Sequence, residues 1–334
     1  MPPQDNLLVS IVTPFYNESE GVESFFVTLT RTLDLLPQVK FEFIFVDDGS
    51  RDKTLDKLIF LSRIDSRIIV IELSRNFGKE AALSAGLDYA SGDAVIPIDS
   101  DLQDPPELIP ALIETWLQGY DVVLAKRTDR SSDSLLKRST AKMFYWVHNL
   151  LSGIKIPENV GDFRIMDRIV IDALKEFPER QRFMKGLFAW SGFRTTSIEF
   201  TREKRAEGFT KYSIWKLWNL ALEGITSFST APLKVWTYLG ISGSLFAFLY
   251  GAFILMRTLL YGRDVPGYTS LIVVILFLGS LQLISIGTLG EYIGRIYIES
   301  KQRPKYIIRN TYGENDVMFK KKNNMIVSIK SVEL

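Results

Sequence analysis

Short apolar runs alternate with amphipathic stretches over residues 7–124. Residues 8–13, 41–46, 68–73, 94–98 and 122–125 are brief and rich in Val, Ile or Phe, the composition of strands covered on both faces. Between them, residues 20–35, 53–62, 79–90 and 106–118 carry apolar side chains at helical spacing. The alternation predicts an α/β fold, a mostly parallel sheet flanked by helices. Ligands of such sheets bind beyond the carboxyl ends of the strands, so a motif that carries chemistry should follow a strand directly.

The pattern changes further on. Residues 126–210 are less regular and rich in basic side chains. Residues 212–227 place Trp215, Trp218, Leu222 and Ile225 at roughly helical spacing, which reads either as a helix packed on the domain or as one lying in a membrane interface. Residues 235–256 run for about 22 positions without a formal charge, enough to cross a hydrocarbon core of roughly 30 Å. Residues 271–286, continued to Leu289, form a second such stretch after a short polar turn near residues 263–268. Two spans joined this way make a hairpin whose ends share one side. Arg295, Lys301, Arg303, Lys305 and Arg309 mark that side as cytoplasmic. Glu291 stands one helical turn from Arg295, a spacing that lets them pair. The expected divisions are a cytoplasmic domain over 1–211, an interfacial region over 212–232, two spans over 233–295 and a cytoplasmic tail over 296–334.

Composition narrows the chemistry. The 334 residues are 46% hydrophobic and 24% charged, an ordinary average that hides the uncharged stretches near the C-terminus. The net charge of +1 points to no polyanion, and nucleic acid is not among the expected partners. With no cysteine, disulfides, thiol nucleophiles and Cys-based zinc sites are excluded. The first ten residues lack the basic start and apolar run of a signal peptide, so the first domain is expected to stay in the cytoplasm. The single histidine, His148, lies in an apolar helical pattern and reads as packing.

The sharpest motif is Asp99-Ser100-Asp101, immediately after the run 94–98. Residues two apart on extended chain point the same way, so both carboxylates can converge on a hard divalent cation such as Mg²⁺ or Mn²⁺ that also holds a diphosphate. Two further polar segments follow strands: Val46-Asp47-Asp48-Gly49-Ser50, and Thr13-Pro14-Phe15-Tyr16-Asn17-Glu18. Three such clusters suggest one cleft. In it Asp48 and Glu18 can accept hydrogen bonds from a base or ribose, and Tyr16 can stack on the base. Taken alone, the Asp-Asp-Gly-Ser run is also an ordinary turn. No Walker loop and no G-x-G-x-x-G is present.

TPFYNE, VDDGS, LSRNFGKEAALSAGLDYASGD and DSDLQDPPE closely resemble the family 2 glycosyltransferases with the GT-A fold, and within them the polyprenyl-phosphate sugar transferases. The resemblance continues through GDFRIMDR, RFMKGLFAW, REKRAEGFTKYS and GEYIGRIYIE, and with two spans it is nearest to the bactoprenol glucosyltransferases. It implies inverting transfer of one sugar, at the bacterial inner membrane, from a nucleotide-sugar donor to a polyprenyl phosphate. Pro14, Tyr16, Glu18, Asp48, Lys79, Asp99 and Ser100 would bind the donor, and Asp99, Asp101 and Gln103 the metal. Arg127, Arg138, Arg164, Arg205 and Lys211 would hold the lipid phosphate, with Asp162, Asp101 and Arg127 in catalytic roles. For the basic loop carrying Arg205 and Lys211, a solvated surface or an attraction to anionic lipid is the competing reading. The resemblance also favours a homo-oligomer. It lacks the Q-x-x-R-W pattern of processive synthases, since Gln181 is followed by Arg182-Phe183-Met184-Lys185, which argues for single transfer. UDP-glucose is the expected donor, with GDP-mannose the alternative. A non-catalytic module that binds lipid phosphate is the competing class, and the joint presence of Asp99, Asp101, Asp162 and Arg127 weighs against it.

Overall fold

The computed structural model describes residues 7–128, 157, 160–180, 182, 184–200, 226, 229–261 and 267–313. Its strands are β1 (Leu8–Phe15), β2 (Lys40–Asp47), β3 (Ile68–Leu73), β4 (Ala94–Pro97), β5 (Val122–Arg127), β6 (Val160–Asp167), β7 (Thr195–Phe200) and β8 (Ile308–Tyr312). Its helices are α1 (Val22–Leu33), α2 (Thr54–Ile64), α3 (Lys79–Tyr89), α4 (Ile109–Leu117), α5 (Arg168–Lys175), α6 (Met184–Trp190), α7 (Ala231–Tyr261) and α8 (Tyr268–Ser300). A 3₁₀ turn, Pro106–Leu108, leads into α4. The strands form one sheet in the order β7-β5-β6-β4-β1-β2-β3-β8.

The five strands and four helices expected between residues 7 and 124 are all present, with no end moved by more than three residues. Pairing is parallel among β4, β1, β2 and β3, and between β5 and β7. It is antiparallel where β6 joins β4 and β5 and where β8 joins β3. The last three strands escape the apolar pattern. β6 reads VGDFRIMD, β7 alternates half-buried and exposed positions, and β8 is the polar IRNTY at an edge.

One face of the sheet packs against α1, α2 and α4, where Phe15, Phe25 and Phe45 meet edge-on with centroids 5.4 to 6.3 Å apart. On the other face lies α3. A Cβ at Gly86 would stand 2.2 Å from Cγ1 of Val12, so glycine is what lets α3 sit this close to β1 and β2. α6 reaches α3 through Met184, whose sulfur is 3.9 Å from the Ser84 hydroxyl.

The chain divides into two compact units. Residues 304–313 belong to the unit that holds the sheet, so the expected tail over 296–334 contributes an edge strand as well. β8 is pinned at buried Glu72, which accepts from Asn310 and Tyr312 and pairs with Arg309 at 3.3 Å. The Tyr306 hydroxyl donates to Asp88 at 2.8 Å.

The other unit contains α7 and α8, helices of 31 and 33 residues. At 1.5 Å per residue each is about 46 Å or longer, more than a hydrocarbon core requires. Their large apolar side chains are exposed, as a lipid-facing surface demands and a soluble core does not. Two polar contacts join separate chain segments: the Trp236 indole donates to Thr288 at 3.2 Å and the Tyr292 hydroxyl to the Ser229 carbonyl at 2.6 Å. Glu291 and Arg295 pair at 3.4 Å, as their spacing predicts. The 212–227 segment lies outside the described residues apart from Thr226.

Candidate active site

The loops after β1 and β2 are tied to each other. The backbone N–H of Asn17 donates to the Ser50 hydroxyl at 3.0 Å, that of Arg51 to the Asn17 side chain at 2.8 Å, and that of Glu18 to Thr54 at 2.9 Å. Asn17 adopts φ 53°, a left-handed conformation asparagine tolerates, and this turns the chain after β1. Tyr16 is left 43% exposed, open to stacking, while Pro14 stays inside β1, paired with Val46.

Asp48 is buried, and both its oxygens are engaged: one accepts from the N–H of Phe77 at 2.7 Å, the other from Gly78 at 2.9 Å. Burial raises its pKa, and the two amides oppose that rise. Its geometry is that of a fastener for the loop that begins α3. Gly49 has φ +66°, and a Cβ there would lie 2.5 Å from the Arg75 carbonyl carbon, so these loops approach as only glycine permits.

That fastening places Lys79 at the first turn of α3. Its ammonium lies 2.7 Å from Oδ1 of Asp99 and 2.7 Å from Oδ2 of Asp162, bridging the Asp99-Ser100-Asp101 loop to β6. Burial disfavours the Lys79 charge, but Asp162 and Asp99 outweigh it and raise the pKa. Burial likewise pushes Asp162 up, while Lys79 and Lys185 draw it below the usual carboxylate range, so it is ionised at neutral pH. Glu80 lies close behind, its Oε2 buried without a partner. Desolvation and the Asp162 charge raise its pKa to about 7.

Asp101 is exposed, and its Oδ1 accepts from the N–H of Gln103 at 3.1 Å. Among the described residues no three acidic or histidine side chains gather into a cage made by protein alone. The donor set still fits a hard cation: Asp99, Asp101 and the Gln103 amide offer oxygens on one loop, and Mg²⁺ commonly takes one or two carboxylates with phosphate completing its shell.

Arg127 ends β5, and its Nη2 lies 3.1 Å from buried Asp104. Arg164 departs from expectation. It is 5% exposed, donates to the carbonyls of Gly161 at 2.7 Å and Asp162 at 3.3 Å, and stacks 4.2 Å from the Phe188 ring. Burial lowers its pKa to about 10, still protonated at neutral pH. A side chain so enclosed holds the Gly161–Asp162 backbone in place and has no free face for a lipid phosphate. Arg138, Arg205, Lys211 and His148 lie outside the described residues. Sequence reasoning missed Asp104 and Glu80. Asp104 follows the acidic motif and looks like one more surface acid, and Glu80 is one polar residue in a helical pattern.

A mostly parallel sheet with carboxylates and Lys79 at its carboxyl edge, joined to a membrane hairpin, is the arrangement of a membrane glycosyltransferase with the GT-A fold. Residues 10–175 match the model of glycosyl transferase family 2, and residues 231–296 match that of the GtrB C-terminal hairpin. The chain is 55% identical over 305 residues to a glycosyltransferase of Synechocystis sp., covering 91% of this chain and 96% of that protein. It is 56% identical over 302 residues to a bactoprenol glucosyl transferase of Shigella phage SfV, covering 90% and 98%. A prophage bactoprenol glucosyl transferase homolog of Escherichia coli K12 is 54% identical over 301 residues, covering 90% and 98%. This chain belongs to glycosyl transferase family 2. Among solved structures, a Mycobacterium tuberculosis glucosyl-3-phosphoglycerate synthase in complex with Mn²⁺, UDP and phosphoglyceric acid is similar at 20% identity, with a TM-score of 0.46 over 66% of this chain and 76% of that one.

Proposed function

We propose that this protein transfers one glucose from UDP-glucose to a polyprenyl phosphate at the cytoplasmic face of a membrane, with inversion at the sugar carbon. The observation that carries the reading is the convergence of Asp99 and Asp162 on Lys79, which brings a donor-side and an acceptor-side carboxylate to one ammonium. Relatives named bactoprenol glucosyl transferase, at about 55% identity along most of the chain, support the sugar and the lipid.

In this reading Tyr16 stacks on the base, with Pro14 and Glu18 beside it and Asp48 shaping the pocket wall. Asp99, Asp101 and Gln103 would hold Mg²⁺ or Mn²⁺ near Ser100. The ion, when bound, neutralises the diphosphate and improves it as a leaving group. Lys79 adds positive charge at the same edge. The acceptor needs little activation, because a phosphate monoester with its second pKa near about 6 is mostly dianionic at pH 7. A phosphate oxygen forms the new bond to C1 as the bond from C1 to the UDP oxygen breaks, and UDP departs with that electron pair. Arg127 offsets the repulsion between two anionic reactants, with Arg138, Arg205 and Lys211 as further candidates. Ionised Asp162 takes the proton of any acceptor that arrives as the monoanion.

The test is purified protein in detergent with radiolabelled UDP-glucose, undecaprenyl phosphate and Mn²⁺ or Mg²⁺, with GDP-mannose in parallel. Metal-dependent label in the lipid phase from UDP-glucose is the expected result. Label from GDP-mannose alone overturns the donor, and label from neither overturns the reaction.

A further inference from the structure

We propose that Asp104 is a positioning residue that sets the Arg127 guanidinium for the acceptor phosphate and locks it to the loop bearing Asp99 and Asp101. The inference rests on the reading of Arg127 as a contact to that phosphate.

Asp104 is 3% exposed, among the most buried charged side chains of the domain. A carboxylate taken that far from water requires a charged partner or a dense set of donors. Arg127 supplies the charge: its Nη2 is 3.1 Å from Oδ1, and Arg127 keeps 26% of its side-chain surface while Asp104 keeps 4%. The burial is thus lopsided. The carboxylate is sequestered, and the guanidinium reaches from it toward solvent. Among the described residues Asp104 is the one carboxylate that forms an ion pair with Arg127. A single anchor of this kind leaves other N–H donors of the fork for an oxyanion, and a planar fork suits phosphate.

The backbone explains why an acid can be buried here, three residues beyond an exposed one. Leu102 adopts φ 53°, unusual for a residue with a branched side chain, and packs against the core. The Asp101 carboxylate accepts from the Gln103 N–H and closes the turn. Across this turn Asp101 is left exposed and Asp104 is buried. A Cβ at Gly161 would lie 3.5 Å from Arg127 Nη2 and 3.9 Å from Asp104 Oδ2, which puts the ion pair against the residue that precedes Asp162. One loop therefore carries the donor-side carboxylates at one end and the anchor of an acceptor-side cation at the other.

A glue between β5 and the loop would look similar in the structure, and kinetics separate the two. D104N, R127M and D104N/R127M are measured in the full-length protein, with KM for undecaprenyl phosphate and for UDP-glucose and with UDP affinity by calorimetry. Positioning predicts that D104N raises the acceptor KM about tenfold, with donor KM and UDP affinity within twofold. It also predicts that the double variant uses the lipid no worse than R127M, because Asp104 has nothing left to orient. Equal loss of donor and acceptor parameters in D104N, or additive losses in the double variant, overturns the proposal. If D104N does not fold, the comparison of R127M with D104N/R127M, which leaves no charge of the pair behind, decides it by the same criterion. Wild-type protein that binds UDP yet glucosylates no polyprenyl phosphate overturns the acceptor reading itself, whereas active wild type with an unaltered D104N overturns only the role of Asp104.

Discussion

At the level of single residues, the site is an arrangement of charges held by backbone hydrogen bonds. Asp48 uses both oxygens on the amides of Phe77 and Gly78, and that presents Lys79 to Asp99 and Asp162. The functions of the two edges should separate on mutation. Asp99→Asn should lower metal-dependent transfer by about 100-fold or more, since charge at the diphosphate is worth several kcal/mol in the transition state. Arg127→Ala should weaken use of the lipid while UDP affinity stays within about twofold; comparable loss of UDP affinity would contradict its place at the acceptor. Glu80 gives a prediction about pH. Its folded pKa is raised by burial to about 7 from an ordinary 4.5, so the folded chain holds a proton that the unfolded chain has released. The resulting penalty is absent below pH 4.5, grows between 4.5 and 7, and is complete above 7. Glu80→Gln should therefore stabilise the protein above pH 7, by about 1–2 kcal/mol after allowance for a side chain that partly reaches water, and should make no difference near pH 4.5. Thermal melts at pH 5 and pH 8 measure it.

At the level of elements, close approach of α3 to the sheet decides what the active edge looks like. Gly86 is the contact point, against β-branched Val12 and Val46, which have little freedom to move aside. Gly86→Ala should cost about 1–2 kcal/mol, the helix-propensity gain of alanine being smaller than the strain of overpacking. A shift of α3 would carry Lys79 with it, so transfer should fall more than the change in melting temperature alone implies. The antiparallel β6 shows why part of the site was hidden. Asp162 and Arg164 stand two positions apart in one motif and look alike as cleft residues, yet one meets Lys79 while the other is sealed under Phe188. Their side chains differ in destination because of what packs on the strand, and no local pattern states that.

At the level of the whole molecule, β8 bears on topology. The segment after α8 returns to the sheet of the glycosyltransferase domain, so both ends of the hairpin should open on the same side of the membrane. The absence of cysteine makes this measurable with single-cysteine variants. Phe60→Cys and Ile307→Cys, at exposed positions, should be shielded from an impermeant maleimide in intact cells and labelled once the cytoplasmic face is opened. Arg263→Cys, which falls between the two apolar stretches of the sequence, should label from outside. Labelling of positions 60 and 307 from opposite sides would overturn the hairpin.

The amino-acid sequence by itself determined the five strands and four helices up to residue 124, the two apolar helices, the Glu291–Arg295 pair and the acidic loop, because each is written in local periodicity or spacing. It also held the family motifs, which combine over a long stretch of chain. Only the tertiary structure decided that β6, β7 and β8 complete the sheet, that Asp48 fastens a loop, that Arg164 is enclosed, and that Asp104 meets Arg127. Edge and antiparallel strands need no continuous apolar run, and the meaning of a charged residue depends on its neighbours in space. Those neighbours are 23 residues away for Asp104 and 83 for Lys79, beyond what any local pattern can express.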